Sequence, residues 1–238
     1  MKEADTYARV LERLLSAAEP GRWEVLNCGR RATDFPELSQ VFEDALALSP
    51  DLVVYGMVLN DGDRSREFQA RQTYVNDWIL DRGRMLIGRP DYQPGPLDSR
   101  LAELVRDRVE TWRIGRETAR WYREMYAGPN EAGWRRTQER LREMDRRLRA
   151  AGARLLVAQW PLLVGLDRGY PFEDTTRVIS AFLDTAGIAR LDLLPVLRGR
   201  PDQSLWVHPV DRHPNEVANR LAAESLAPVV RRVLEPSS

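Results

Sequence analysis

With 238 residues, 43% of them hydrophobic and 30% charged, the chain has the make-up of one large globular domain or two small ones. Its 36 basic and 36 acidic residues cancel, which argues against a surface field built for nucleic acid or an anionic membrane. A single cysteine, Cys28, rules out an intrachain disulfide, and no apolar run is long enough to span a bilayer.

Taken in order, the chain opens on Asp5 or Thr6 as a helix cap. Tyr7, Val10, Leu11, Leu14 and Leu15 then recur at helical spacing as far as Ala18. Pro20-Gly21 ends that helix. Trp23-Glu24-Val25-Leu26-Asn27 reads as a short strand, with a loop from Cys28 to Asp34 at its end. Phe35 to Leu48 reads as a second helix, with Pro36 in its first turn. Leu52 to Leu59 is an almost unbroken apolar run, the pattern of a strand buried on both faces of a parallel sheet. It stops at Asn60-Asp61-Gly62-Asp63.

From about 64 to 133 the pattern changes to interleaved arginines and aromatics, expected to form a helical insertion. Residues 82–98, broken by glycine and proline, read as an irregular loop, and Leu97 to Tyr126 as a long helix. Acidic residues lie among the arginines, which argues against a nucleic-acid surface here. Each aromatic of the insertion reads first as packing on a core. Trp134 to Ala151 is a further helix stopped by Gly152. Arg154 to Trp160 is a third strand closed by Pro161, and Thr175 to Ala186 a helix stopped by Gly187. Ile188 to Leu194 is a last short strand, and Glu216 to Leu234 a closing helix. Alternating helices and strands predict an α/β sandwich on a mostly parallel sheet.

Both histidines of the chain, His208 and His213, lie in one stretch, Ser204 to Asn215. Asp211 and His213 are two apart, so an extended backbone projects them to the same side. The carboxylate can then take the Nδ1 proton, fix the tautomer and leave Nε2 free as a base. His208, between Val207 and Pro209, reads as a packing residue of the loop. Asn215 is placed to cap the last helix. Ligands of open parallel sheets bind at the carboxyl ends of the strands, where Asn27 to Asp34, Asn60-Asp61 and Asp211 to Asn215 would meet. Asn60 could donate its amide N–H to a developing oxyanion. Two histidines, one cysteine and scattered carboxylates make no recognisable metal-ligand set, and no cofactor is expected.

Val25-Leu26-Asn27-Cys28-Gly29, the run from Pro50 to Asp61, and Asp211-Arg212-His213-Pro214-Asn215 together resemble three of the sequence blocks of the SGNH/GDSL hydrolases. The resemblance spans nearly the whole chain. It implies a three-layer, flavodoxin-like sandwich acting on small-molecule or carbohydrate esters. It also implies Asp211 and His213 as triad members, with Asn60 and the backbone N–H of Ala32 as the oxyanion hole. Ala32 stands where the family usually has glycine, so Gly29 is expected to be a structural turn.

The family's Gly-Asp-Ser block, with its nucleophile, occurs nowhere in the chain. Ser65, in Gly62-Asp63-Arg64-Ser65, is a poor substitute, and Ser16, Ser39 and Ser180 fall inside helices. The family's first strand would lie between residues 23–27 and 52–59, so the sheet is expected to keep an unfilled slot there. An incomplete N-terminus is the expectation, and localisation stays open. Two alternatives accompany hydrolysis. One is transfer of acyl groups to a polysaccharide by the same residues. The other is non-catalytic glycan binding in a pocket lined by Trp160, Trp206 and aromatics of the insertion.

Overall fold

The computed structural model describes residues 2–30, 38–71, 100–209 and 211–235. Contacts divide the chain into two units, Met1–Asp63 with Arg135–Ser238, and Arg64–Trp134.

The first unit is mixed α/β, built on a three-stranded parallel sheet in the order β1 (Leu52–Val58), β2 (Arg154–Trp160), β3 (Ala189–Asp192). Leu52 pairs with Arg154 and Val58 with Trp160, while Leu156 pairs with Ala189 and Gln159 with Asp192. β2 is buried at six successive residues, so helices must cover both of its faces. One layer holds α1 (Tyr7–Ala18) against α8 (Glu216–Leu234), with the short α7 (Leu194–Leu197) also on α8. The other holds α2 (Leu38–Ala47), α5 (Glu131–Ala150) and α6 (Glu173–Thr185). Arg147 of α5 ion-pairs with Glu43 and lies over the Phe42 ring, and Arg142 lies over Phe182 of α6. Consecutive parallel strands joined by right-handed crossovers put their helices on one face, which matches that grouping.

Local chemistry explains the element ends. The Asn215 side chain accepts from the N–H groups of Val217 and Ala218 and so caps α8. Gly152 closes α5 at φ +80°, where a side chain would be strained. β1 ends because Asp61, in the 3-10 turn Leu59–Asp61, takes the Val58 N–H at 2.9 Å and the Tyr55 hydroxyl at 2.9 Å.

The strand expected at 23–27 is not present. Val25 is the reason: its N–H goes to the Glu12 carboxylate at 3.1 Å and its C=O accepts from Arg9 at 3.4 Å. Side chains of α1 thus take the groups that a neighbouring strand would have used. The stretch from Ser204 to Asn215 also differs from a plain loop. Trp206–His208 (β4) and Asp211–Pro214 (β5) form an antiparallel hairpin, with His208 opposite Asp211.

In the second unit, residues 66–71 (α3) and Arg100–Glu124 (α4) are helical. Phe68 stacks on Trp121 at 5.6 Å, and Tyr126 meets Trp134 edge-on at 5.1 Å. These rings pack on one another, so Phe68, Trp121, Tyr126 and Trp134 serve as interior, while Trp112 is exposed. The irregular loop expected at 82–98 lies outside the described residues. No helix among the described residues is long and apolar enough to cross a membrane.

Candidate functional site

The hairpin carries the pair that the spacing picked out. On β5 the Asp211 carboxylate binds the Nδ1 of His213, and the same oxygen accepts the His213 backbone N–H at 3.1 Å. One residue thus holds both the ring and its backbone, which fixes the ring's orientation. The Asp211 carboxyl is held below the usual carboxylate range, first by the side-chain bond to His213 and then by its N–H. With Nδ1 engaged, Nε2 faces outward on a ring that is 85% exposed.

Several contacts fix this hairpin at the carboxyl end of the sheet. The Trp206 indole N–H donates to the Leu163 C=O at 2.7 Å, just beyond β2. Asn219, 5% exposed, donates to the C=O groups of Pro214 and Asn215 and accepts the Tyr7 N–H at 3.0 Å. Tyr7 in turn packs against Trp160 at 5.7 Å, and its hydroxyl lies 3.3 Å from where a Cβ on Gly56 would stand. A side chain at 56 would therefore crowd the Tyr7 hydroxyl. A chain of contacts thus links β5 to the carboxyl ends of β1 and β2.

Asn60 sits at that same end, exposed, in the turn after β1. Neither of the two cavities described for this chain is lined by Asn60 or His213. Ala32 lies outside the described residues. Gly29 donates its N–H to Asn27 Oδ1 at 3.1 Å, a turn held by the asparagine itself. His208, expected to pack, is exposed on β4: the hairpin turns its side chain outward across from Asp211.

Four serines are bonded elsewhere. Ser65 is 8% exposed, and its Oγ accepts the Phe68 N–H at 3.2 Å, which makes it the cap of α3. Its own N–H goes to Asn130. Ser180 donates to Gln159, Ser204 to the Pro201 C=O and Ser225 to the Leu221 C=O. Among the described residues, the hydrogen bonds of His213 run only to Asp211.

The pocket aromatics differ from expectation. Trp160 is 7% exposed and lines only a small cavity, while Trp206 is tied by its N–H and covered by Arg212.

One polar cluster escaped the pattern reading. Gln159, in the most buried strand, accepts from Ser180, and its Nε2 is enclosed with no partner among the described residues. Beside it in a small cavity lies Asp192, whose carboxyl is pushed above the usual range by burial, against the opposing Leu194 N–H. A glutamine interrupting an aliphatic strand was the available signal. Among the described residues, no group of three His, Cys, Asp or Glu side chains could hold a metal ion. No family model, curated protein or solved structure matches this chain.

Proposed function

We propose that the chain is the base-bearing part of an SGNH/GDSL-type hydrolase, a flavodoxin-like α/β domain that cleaves small acyl or carbohydrate esters. One observation carries the reading: the Asp211 carboxylate holds Nδ1 of His213 and leaves Nε2 facing solvent at the carboxyl end of a parallel sheet. In such a site His213 takes a proton from an attacking hydroxyl and passes it to the leaving alcohol. Asp211 keeps the ring in the required tautomer and offsets the charge it gains. Asn60, at the end of β1, offers an amide N–H to the oxyanion, with the Ala32 N–H as its companion.

No serine among the described residues is hydrogen-bonded to His213. The 238-residue chain is therefore expected to hydrolyse p-nitrophenyl acetate no faster than its His213→Ala variant. Extension at its N-terminus with a strand ending in Gly-Asp-Ser is expected to create turnover that His213→Ala removes and Asp211→Asn cuts by about 10⁴-fold. Turnover by the unextended chain that disappears in Ser65→Ala would overturn the assignment. So would an extended chain indifferent to His213. Polysaccharide O-acylation uses the same groups, and a sugar acceptor that takes the acyl group without acid release would select it.

A further inference from the structure

The ladder between β2 and β3 ends on Gln159 and Asp192, which are directly paired. Paired residues of neighbouring strands project their side chains to one face of the sheet. α6 covers that face. Its Thr176, Ile179 and Ser180 recur at the spacing that puts them on one side of a helix. Ser180 donates to Gln159 Oε1 at 3.1 Å, and the Leu194 N–H donates to Asp192 Oδ1 at 2.9 Å. Each of the two paired side chains thus has one polar atom engaged.

Both side chains line a cavity of about 10 Å³. Thr176 adds a hydroxyl to it, while Met57, Leu59 and Ile179 are among its apolar walls. Ser180, which holds Oε1, does not line the cavity, so the nitrogen end of the Gln159 amide meets it. Gln159 is 5% exposed, and its Nε2 has no hydrogen-bond partner among the described residues. Turning the amide over brings no relief. The Ser180 hydroxyl can donate or accept, so an enclosed oxygen would then stand in place of the nitrogen. An amide donor buried without an acceptor is unfavourable, and native interiors keep very few of them.

We infer that this cavity is a water site: one water accepts from Gln159 Nε2, donates to the Asp192 carboxyl and so ties the ends of β2 and β3 beneath α6. Size and charge select that occupant. A volume of about 10 Å³ admits one water and no larger molecule. A cation would face the Gln159 N–H, and no group of three His, Cys, Asp or Glu side chains among the described residues could hold a metal ion. An anion would face the Asp192 carboxyl. Water both accepts and donates, so it meets the amide and the carboxyl at once. The Thr176 hydroxyl, which donates to the Phe172 C=O at 3.2 Å, offers an acceptor for the second O–H. That makes three polar partners, the usual number for a buried water. The bridge rests on two strands and α6 alone, so it stands whether or not His213 serves as a base.

The test uses the full chain, in crystals and in solution. A crystal structure is expected to show one oxygen-sized peak at hydrogen-bond distance from both Gln159 Nε2 and the Asp192 carboxyl. In NMR, the Gln159 side-chain amide protons are expected to show a nuclear Overhauser effect to water opposite in sign to that of the exposed Gln203, as a long-lived water gives. Oxygen-17 relaxation dispersion counts long-lived waters. Gln159→Met keeps the length of the side chain and removes the amide, so the count should fall by one. Asp192→Asn keeps an acceptor oxygen, so the count should hold. If Gln159→Met does not fold, the parent chain's density and its amide–water effect decide. A protein acceptor bonded to Nε2, a cavity without density, an ion inside it, or a count unchanged in folded Gln159→Met would overturn the inference.

Discussion

β1 and β2 lie side by side, each seven residues long and each largely aliphatic, yet they have different surroundings. β2 is paired on both edges and buried at six successive residues. β1 is paired on one edge, and only Tyr55 and Met57 are buried. The difference teaches that an apolar run specifies a strand but not its neighbours. On the β2–β3 side main-chain groups pair with main-chain groups. On the other side, Glu12 and Arg9 of α1 hold Val25 by its backbone, and a slot remains.

The largest test of that contrast is a pair of truncations. Leu156→Ala, at a site with no exposed surface, should cost about 2–5 kcal/mol in urea unfolding. Val54→Ala, half-buried on the slot side, should cost about 1 kcal/mol or less. Equal costs would mean that β1 is as enclosed as β2, and the comparison would fail.

A smaller effect comes from the tether between the hairpin and α1. Asn219→Ala leaves the half-buried Tyr7 N–H without its acceptor and should cost about 1–2 kcal/mol. Circular dichroism melting measures the loss. A cost near zero would show that the hairpin is placed without Asn219.

The finest test uses two carboxyls of opposite behaviour. The Glu12 carboxyl is lowered, first by the Val25 N–H and then, against desolvation, by Arg9. Its contribution is fully present above the ordinary glutamate value and is lost as pH falls through the lowered one. Asp192, on the closed side, is raised by burial. The folded state then binds more protons than the unfolded one, and stability falls as pH rises from the ordinary aspartate value through the raised one. Glu12→Gln should therefore flatten the acid limb of a stability–pH curve, and Asp192→Asn should remove a decline above it. Matching responses of the two variants would contradict the assignment of burial to one side and solvent-facing pairing to the other.

Where partners are near in sequence, the reading and the structure agree. The bounds of β2 and α8, the Asn215 cap and the approach of Asp211 to the His213 ring all follow from neighbours within four residues. Where partners are distant, the reading diverged. Residues 23–27 have the composition of a strand, but Glu12 and Arg9 took their backbone groups. His208 looked like a packing residue until the hairpin turned it outward opposite Asp211. Ser65 was one more serine in a loop until Phe68 showed it to be a helix cap.

By itself the amino-acid order determined periodicity, caps and the two-residue spacing that lets a carboxylate hold an imidazole. These depend on backbone geometry that repeats every 2 or 3.6 residues. Only the tertiary structure decided which edge of the sheet was left open, because strand pairing joins residues about a hundred positions apart, such as Leu52 with Arg154. That pairing depends on which groups reach each backbone donor first, and no local pattern records it.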